Sequence, residues 1–311
     1  MVSTIWLCPG QGAQTVGMGK DLAERFPVAR QTFQAIDDAL GVGLSKIMFE
    51  GPEEQLTATS NTQPAILAHS AAVFAIVASK VTAVAGAAGH SLGEYSAYVA
   101  TGALTAPEAA KLVRRRGDLM QQAGETRPGT MAAVLGLATA DVEAACKEAS
   151  QAGSIAVAAN LNGPDQTVIS GDPAAIERAG AICKTRGAKR VLPLKVSGAF
   201  HSPLMAPAAD KLRLALDKAP FGDPKAPVIA NATAEPVRDA ARARRLLTDQ
   251  LTAPVRWVAC MERAATLGEG LRFLEIGPGA VLAGLLKRIV PGATVTSLGT
   301  ADEVTKFMEN N

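Results

Sequence analysis

The segment Gly-His-Ser-Leu-Gly at residues 89–93 matches the G-x-S-x-G pattern of a nucleophile elbow. An apolar run at 81–88 precedes it and predicts a buried strand, and a helical pattern begins at Glu94. A turn from strand to helix would expose Ser91 on a sharp bend, and the first N–H groups of the helix could stabilise an oxyanion. We therefore expect Ser91 to be a nucleophile; a structural serine in a turn is the alternative.

A serine needs a general base to act as a nucleophile at neutral pH, and the sequence contains three histidines. His90 stands next to Ser91, where the two side chains diverge, and His69 lies in an apolar helical stretch, so both are expected to be structural. His201 follows a strand predicted over 189–196, at a strand end of the kind where catalytic groups usually lie. By elimination we expect His201 to be the base.

A base of this kind is usually oriented by a further group, often a carboxylate. Asp165, Asp172 and Glu177 lie between Ser91 and His201, but they fall on a separate small domain and none stands out by spacing. A Ser–His dyad that is oriented by a backbone carbonyl is therefore one arrangement that the sequence allows.

Arg116 is the second residue with an unusual position. It falls within the apolar stripe of a helix predicted over 106–123, whereas Arg114 and Arg115 point elsewhere and are expected to be solvated. A buried arginine needs an anionic partner. That partner could be a core Asp or Glu in a structural ion pair, or a substrate carboxylate, which the guanidinium fork can bind with two hydrogen bonds.

Strands and helices alternate along the chain and predict an α/β fold. A strand at 5–9 runs into the glycine-rich loop 10–14, which fits neither a Rossmann fingerprint nor a Walker A loop. Further elements are predicted after it: helices at about 20–40, 64–80, 93–101, 203–218, 240–251, 255–267 and 280–290, and strands at 227–231, 271–276 and 294–298.

Residues 129–197 follow the order βαββαβ, which is the ferredoxin-like arrangement. The segments 127–129 and 197–198 are predicted hinges. We therefore expect a discontinuous larger domain, residues 1–128 and 198–311, into which this small domain is inserted. Ligand clefts commonly lie between such domains.

Composition excludes several classes of function. The net charge of +2 and the aromatic content of 4% give no electrostatic or stacking basis for binding nucleic acid or a membrane surface. The apolar stretch 64–88 predicts a buried helix and a strand rather than a membrane span, and no signal peptide is expected. Cys8, Cys146, Cys183 and Cys260 are widely spaced, which indicates buried reduced thiols in a cytoplasmic protein, and no metal-ligand spacing is present.

Seven blocks of the sequence together resemble the malonyl-CoA:acyl carrier protein transacylases of fatty acid synthesis and their polyketide-synthase relatives. The blocks come in that family's order and extend over nearly the whole chain. They are PGQGAQ (9–14), TQPA (62–65), GHSLGEYSA (89–97), RG (116–117), GAFHSPLM (198–205), QLTAPVRW (250–257) and EIGPG (275–279).

The resemblance implies that Ser91 carries the acyl ester and that His201 is its base. It also implies that the backbone carbonyl of Gln250 orients His201, and that the backbone N–H groups of Gln11 and Leu92 form the oxyanion hole. The fold implied is an α/β-hydrolase-like core with the ferredoxin-like insertion. The substrates implied are malonyl-CoA and the phosphopantetheine thiol of an acyl carrier protein, with no cofactor.

The resemblance further implies that Arg116 binds the malonyl carboxylate and that Asn160 contributes to the cleft. Leu92 and Phe200 resemble the malonyl-selective members, because Phe200 would fill the space that an α-methyl group needs. A hydrophobic pocket distinguishes one methyl group by only about 1–3 kcal/mol, so the preference would be moderate.

The alternatives are of two other classes. An α/β-hydrolase-type esterase or thioesterase would share the elbow, but no HGGG-type loop is present, His201 lies mid-chain, and a buried arginine has no use on a neutral ester. A non-catalytic subunit that binds a carrier protein would not need an intact Ser91, His201 and Arg116. A trans-acting acyltransferase of a polyketide synthase would use the same chemistry on another carrier.

A basic cluster, KTRGAKR, ends the second helix of the small domain. Its charged residues are Lys184, Arg186, Lys189 and Arg190. Such a cluster could steer an acidic carrier protein or the phosphates of CoA, or it could be a solvated loop.

Overall fold

The computed structural model describes residues 2–196 and 198–311 and shows a mixed α/β protein with two separate sheets. The strands formed by the described residues are β1 (Thr4–Cys8), β2 (Val84–Gly89), β3 (Thr130–Leu135), β4 (Ala156–Gly163), β5 (Gln166–Gly171), β6 (Arg190–Pro193), β7 (Val228–Ile229), β8 (Pro236–Val237), β9 (Arg272–Ile276) and β10 (Thr294–Leu298).

The larger sheet has the strand order β10-β9-β1-β2-β7-β8. All neighbours in it pair in parallel except β7 and β8, which are antiparallel. Cys8 at the end of β1 pairs with Gly89 at the end of β2, so the loops that follow these two strands leave the same edge of the sheet. Ligands of α/β sheets bind outside the carboxyl ends of the strands, which is where these loops lie.

The smaller sheet has the order β4-β5-β3-β6 and is antiparallel throughout. Two helices cover it, and their apolar side chains form a separate hydrophobic core with the sheet. Backbone hydrogen bonds join β4 to a segment of the larger unit, because Leu161 N–H donates to Val255 O (2.9 Å) and Val255 N–H donates to Ala159 O (2.8 Å).

Helices surround both sheets. Within the described residues they are α1 (Lys20–Arg25), α2 (Pro27–Leu40), α3 (Leu44–Glu50), α4 (Glu53–Thr57), α5 (Thr59–Val77), α6 (Gly93–Ala100), α7 (Ala106–Thr126), α8 (Thr139–Ala149), α9 (Pro173–Thr185), α10 (Ala206–Lys218), α11 (Ala240–Asp249), α12 (Trp257–Ala265), α13 (Val281–Ile289) and α14 (Ala301–Asn310).

The helix α5 is the central helix of the larger unit. It is apolar on all sides, as is typical of a helix in the core, and most of its residues are buried. By length and composition alone, the stretch Thr59–Lys80 could cross a membrane, but 78% of its apolar window is buried inside the protein. The prediction of a buried helix at 64–80 is therefore confirmed.

The helix α7 begins at a well-formed cap. Thr105 accepts a hydrogen bond from the Glu108 N–H, and Pro107 stands in the first turn, where its missing N–H matters least. Gly117 then allows α7 to lie close to α5, because a Cβ at this position would lie 2.7 Å from Thr59 O. The close approach sets Arg116 beside the side chains of α5.

Several predicted boundaries were wrong. Residues 20–40 form two helices rather than one, because Pro27 begins a new helix after the extended Phe26. The strand expected at 227–231 is only Val228–Ile229. The helices α3, α4 and α14 were not predicted. Of the two predicted hinges, the second includes Ser197, which lies outside the described residues.

Candidate active site

Ser91 lies on the turn between β2 and α6, and its backbone φ is 53°, in the left-handed region. A non-glycine residue there is uncommon and is characteristic of strained functional turns. The flanking glycines are needed for space: a Cβ on Gly89 would lie 1.9 Å from Gly93 O, and a Cβ on Gly93 would lie 2.2 Å from Cys8 O. The close packing of β1, β2 and α6 therefore forces the serine outward.

His201 lies next to the serine. Ser91 Oγ is 2.7 Å from His201 Nε2, and His201 Nδ1 is 2.8 Å from the backbone oxygen of Gln250. Because a carbonyl can only accept, Nδ1 carries the proton and donates it to Gln250 O, which leaves Nε2 free to accept from the Ser91 hydroxyl. His201 is 4% exposed and also has a positive φ, 55°.

Burial and the nearby Arg116 guanidinium lower the pKa of His201 to about 3, and the hydrogen bond to Gln250 O opposes that shift. The imidazole is therefore neutral at physiological pH. A neutral imidazole with Nε2 facing a hydroxyl can accept a proton from it.

Arg116 is 1% exposed and also contacts the serine. Its Nη2 donates to Ser91 Oγ and to Gln250 Oε1, both at 3.0 Å, and its Nη1 donates to Gln63 Oε1 at 2.7 Å. None of these partners is anionic, and within the described residues no carboxylate lies at ion-pair distance from it. The guanidinium thus has a buried charge that neutral oxygens solvate.

The neighbouring arginines differ from expectation in one case. Arg115 is exposed, but Arg114 is half-buried and its Nη1 donates to Ser60 O (2.8 Å) and to the Asn61 side chain. The expectation that Arg114 is solvated was therefore wrong. It packs against the start of α5 instead, because the close contact of α7 with α5 brings its stem there.

The loop after β1 packs against the elbow. A Cβ on Gly10 would lie 2.5 Å from His90 O, so the chain at Gln11 passes close to the turn that holds the serine. Within the described part of the chain, neither the Gln11 N–H nor the Leu92 N–H donates to a backbone acceptor. By contrast, the N–H of Ser91 itself is occupied, because it donates to Asn231 Oδ1 at 2.7 Å.

The other predicted site residues lie outside the hydrogen-bond network of Ser91, His201 and Arg116. Leu92 and Phe200 are buried in the main hydrophobic core, and a Cβ on Gly198 would lie 3.2 Å from the Phe200 ring. Asn160 lies on β4 and is paired with Val255, at the junction of the two units. Its side chain is not hydrogen-bonded to Ser91, His201 or Arg116.

The two remaining histidines lie outside the serine's hydrogen-bond network. His90 Nε2 is 2.8 Å from Asn162 Oδ1, and its ring packs against Trp257 with 5.3 Å between centroids. His69 is buried in α5, where burial lowers its pKa to about 4. The four cysteines are free and buried, and burial raises their pKa values.

Three buried polar residues of this centre were not singled out from the sequence: Gln63, Glu94 and Asn231. Gln63 and Glu94 stand in the quoted TQPA and GHSLGEYSA blocks, so their position in those blocks was the available signal. Asn231 had none, because it follows a two-residue strand far along the chain. Burial raises the pKa of Glu94 to about 7, opposed by hydrogen bonds from Asn231 and Gln250 and by the charge of Arg116.

One cavity is lined by the loop at Gln11, and a second cavity shares a lining residue with it. The first has a volume of about 170 Å³ and is lined by Gln11, Gly12, His90 and Asn162 among others. The second, of about 330 Å³, is lined by Lys189, Arg190 and Arg288, with Asp165 and Gln166. Gln166 lines both, so the two cavities adjoin.

The fold and the site define a class: an α/β protein in which a serine on a strand-to-helix turn faces a neutral histidine and a buried arginine. Residues 5–310 match the acyl transferase domain family, and the chain belongs to that family.

Curated relatives match the chain over nearly its whole length. The chain is 43% identical over 290 residues to the malonyl CoA-acyl carrier protein transacylase of Bacillus subtilis, covering 93% of this chain and 91% of that protein. It is 42% identical over 311 residues to the protein of the same name from Escherichia coli K12, covering 99% and 100%.

Among solved structures, the chain is similar to that of PlMCAT:AntF (holo), a type II PKS acyl-carrier protein in complex with its malonyl-transacylase. The TM-score is 0.94 at 43% identity, covering 99% of this chain and 100% of that one. An acyl carrier protein S-malonyltransferase from Vibrio cholerae has a TM-score of 0.93 at 42% identity, covering 98% and 99%.

Proposed function

We propose that the chain transfers the malonyl group from malonyl-CoA to the phosphopantetheine thiol of an acyl carrier protein, for fatty acid synthesis. One observation carries the choice of acyl group: the buried Arg116 has no anionic partner among the described residues, and its Nη2 lies 3.0 Å from Ser91 Oγ. A carboxylate on the acyl chain would supply the missing anion. The names of the full-length relatives support the same donor and acceptor.

The first half-reaction loads Ser91. Its hydroxyl gives its proton to His201 Nε2 while Oγ attacks the thioester carbonyl, and the oxygen of that carbonyl becomes an oxyanion between the N–H groups of Gln11 and Leu92. The carbon–sulfur bond then breaks, and His201 returns the proton to the departing CoA sulfur. The Gln250 carbonyl holds the imidazole in the required tautomer throughout.

The second half-reaction releases the malonyl group by the same steps in reverse. The carrier's thiol gives its proton to His201, and the sulfur attacks the Ser91 ester. The ester bond breaks, and Ser91 Oγ recovers the proton from His201. The acyl donor and the acceptor thiol therefore use the site in turn, which gives ping-pong kinetics.

Arg116 has two tasks in this scheme. In the free enzyme its guanidinium donates to Ser91 Oγ, which favours the developing alkoxide. In the loaded enzyme a single methylene group separates the malonyl carboxylate from the ester carbonyl, which keeps the carboxylate within reach of the same guanidinium. Arg116 thus favours an acyl group that carries a carboxylate, such as malonyl, over acetyl.

Residues at the margin of the site are proposed to set finer selectivity. Leu92 and Phe200 would limit the space beside the malonyl methylene, and Gly198 leaves room for the Phe200 ring, because a Cβ there would lie 3.2 Å from it. Asn160 would contact the substrate from β4, because its pairing with Val255 holds it at the junction of the two units.

The adjoining cavities offer a route for the long donor and acceptor arms. The smaller cavity begins at Gln11 and would take the pantetheine arm, and the larger cavity has Lys189, Arg190 and Arg288 at its wall. Phosphates of CoA, or the acidic surface of a carrier protein, are the natural counterparts of that wall. Two arginines of this region already have ion-pair partners: Arg288 pairs with Asp165, and Arg186, outside the wall, pairs with Glu148.

The architecture proposed for this function is an α/β-hydrolase-like core, residues 1–128 and 198–311, with a ferredoxin-like domain at 129–197. The strand order β4-β5-β3-β6 with two covering helices supports the second part. The substrate cleft would lie between the two.

A second candidate differs only in the acceptor. The similarity to a transacylase solved with a type II PKS carrier supports a role in supplying a polyketide line. Measuring kcat/KM with a fatty acid carrier and with a polyketide carrier from the same genome separates the two, because the physiological acceptor is expected to be used more efficiently.

The covalent intermediate tests the main proposal. After incubation with malonyl-CoA, mass spectrometry is expected to find malonate on Ser91, and addition of a holo carrier protein is expected to discharge it as malonyl carrier. Ser91→Ala should show no adduct, whereas Ser96→Ala, which alters a buried serine of the same helix region, should keep it. An adduct at another residue, or release of free malonate at the same rate without a carrier, would contradict the proposal.

A further inference from the structure

Glu94 is a fully buried carboxyl group that no step of the proposed reaction uses. It lies in the first turn of α6, three residues after Ser91. Its Oε2 accepts hydrogen bonds from the Asn231 N–H (2.9 Å) and from Gln250 Nε2 (2.8 Å). Its Oε1 is buried and has no partner among the described residues. A buried carboxyl group with one unsatisfied oxygen is unfavourable for folding alone, so a role in the site must be considered.

Gln250 connects Glu94 to the reacting groups. Its backbone oxygen accepts from His201 Nδ1, and its side-chain Oε1 accepts from Arg116 Nη2. Its Nε2 donates to Glu94 Oε2 and also to the backbone oxygen of Ser91 at 3.0 Å. One glutamine therefore contacts the base, the cation and the nucleophile.

The amide of Gln250 can satisfy these contacts in only one orientation. If it were turned by 180°, its oxygen would face the Glu94 carboxylate and the Ser91 carbonyl, and its NH₂ group would face the guanidinium of Arg116. Both contacts would be repulsive, since acceptor would meet acceptor and donor would meet donor. Glu94 on one side and Arg116 on the other thus fix the amide.

Asn231 is held by the same carboxylate. Its backbone N–H donates to Glu94, its Oδ1 accepts the Ser91 N–H (2.7 Å), and its Nδ2 donates to Gly89 O (2.8 Å). These bonds fix the two ends of the strained turn that carries the serine. Glu94 is therefore bonded to both residues that hold the elbow and the histidine in place.

We propose that Glu94 is a positioning residue for the acyl transfer: by accepting from Gln250 and Asn231, it holds the carbonyl that orients His201, the amide that places Arg116, and the turn that presents Ser91. The proposal rests on the proposed function for its reaction, but it concerns the Ser91–His201 pair whatever the acyl donor. Glu94 touches neither substrate nor reacting atoms, and it acts through these two residues.

Glu275 provides a matched contrast. It is also a fully buried glutamate, but its oxygens accept from the N–H groups of Leu282 and Ala283, at 2.9 and 3.0 Å, and from Ser297 Oγ at 3.0 Å. Both of its oxygens are thus satisfied, by the start of α13 and by β10. Glu275 fastens elements of the fold, whereas Glu94 fastens groups around the serine.

The test compares Glu94→Gln, Glu94→Met and the control Glu275→Gln. Sulfonylation of Ser91 by phenylmethylsulfonyl fluoride reports the reactivity of the Ser91–His201 pair without malonyl-CoA. Glu94→Gln keeps an oxygen that can accept both hydrogen bonds, so its labelling rate should stay within about threefold of the wild type. Glu94→Met loses both bonds and should label about 10- to 100-fold more slowly while folded. Glu275→Gln alters a buried glutamate that is not bonded to Gln250 or Asn231, and it should label within about threefold of the wild type.

A second readout follows the histidine directly. The ¹H NMR resonance of the His201 Nδ1–H, identified by its loss in His201→Ala, should stay in place in Glu94→Gln and shift or broaden in Glu94→Met. If Glu94→Met does not fold, Gln250→Met removes the same hydrogen bond from the other side and should show the same slowing.

Wild-type labelling by folded Glu94→Met or by Gln250→Met would overturn the proposal, as would a Glu94→Gln variant as slow as Glu94→Met. A wild type that is labelled by the sulfonyl fluoride, but not by malonyl-CoA, would instead overturn the proposed function and leave the positioning role intact.

Discussion

Two charged regions of the molecule have opposite surroundings. The polar centre, which consists of Ser91, His201, Arg116, Gln250 and Glu94, is almost wholly buried, and short hydrogen bonds fix its groups. The basic face, which consists of Lys189, Arg190 and Arg288, is largely exposed around a cavity, and only Arg288 has an ion-pair partner there, Asp165, among the described residues.

The difference decides what each region can contribute. Charges in a buried centre interact strongly, because little water screens them, and loss of one partner leaves another unsatisfied. Charges on an exposed face interact weakly at contact but attract a charged partner from a distance, and salt screens them. We therefore expect the centre to govern chemistry and stability, and the face to govern encounter rates.

His201→Ala tests the centre most severely. Removal of a positioned general base should slow acylation of Ser91 by malonyl-CoA by about 10²- to 10⁴-fold. Rapid-quench measurement of the first turnover gives this rate directly. His69→Gln is the control, since it also alters a buried imidazole, and its rate per folded molecule should stay near that of the wild type. A loss of less than tenfold in His201→Ala would mean that another group acts as the base.

Glu94→Gln tests the balance of charge in the centre through stability. Burial raises the pKa of Glu94 from 4.5 to about 7, so the folded state binds the proton more tightly than the unfolded state. Wild-type stability should therefore fall as the pH rises through that interval, by about 3 kcal/mol from this group. Glu94→Gln cannot ionise and should be more stable than the wild type at pH 8 but not at pH 4.5.

Urea denaturation at the two pH values measures this difference. Glu275→Gln serves as the control: burial also raises the pKa of Glu275, but hydrogen bonds from Leu282, Ala283 and Ser297 oppose that shift, so any gain in stability at pH 8 should be smaller than in Glu94→Gln. If Glu94→Gln were less stable than the wild type at pH 8, the carboxylate would be a stabilising anion, and the buried centre would need Glu94 as a direct counter-ion of Arg116.

Arg116→Ala tests the role of the unpaired guanidinium. If Arg116 binds the malonyl carboxylate, kcat/KM for malonyl-CoA should fall by about 10- to 100-fold, because charged hydrogen bonds contribute roughly 1.5–3 kcal/mol. Acetyl-CoA lacks the carboxylate and should lose much less. Arg114→Ala, on the same helix but bonded to Ser60 and Asn61, should alter stability without changing the ratio of the two substrates. A parallel loss for both substrates in Arg116→Ala would rule out the carboxylate role.

The sequence predicted the local elements of the centre better than its connections. The elbow, the strand before it and the helices α6 and α7 follow from periodicity and from glycines, which are local signals. The apolar stripe of α7 was sufficient to predict that Arg116 is buried. It was not sufficient to name the partners of Arg116, because Gln63 and Gln250 come from distant segments that only the tertiary fold brings together.

The residues and elements that the sequence did not predict also lack a local signal. Asn231 and Glu94 form a polar network whose members are far apart in the chain, and no periodicity marks them. The short helices α3 and α4 lack a long apolar stripe. The break between α1 and α2 at Pro27 falls inside a helical pattern that is continuous over 20–40. The roles assigned to Gln11, Leu92, Phe200 and Asn160 remain predictions for experiment.

Reversal of charge on the basic face should give the smallest effect. Lys189→Glu with Arg190→Glu is expected to lower kcat/KM for the carrier protein by about three- to tenfold at low salt, with little change in the rate at saturating carrier. The effect should vanish at high salt, because screening removes long-range attraction between exposed charges.

Arg213→Glu with Arg245→Glu makes the same change in net charge at exposed positions of α10 and α11, and it should leave the rate within twofold of the wild type. Steady-state assays at two ionic strengths therefore separate local steering from net charge. If the Lys189 and Arg190 variant were unaffected at low salt, the face would be a solvated loop. If it lost activity equally at high salt, these residues would make close contacts with the substrate, and the basic face would belong with the buried centre rather than in contrast to it.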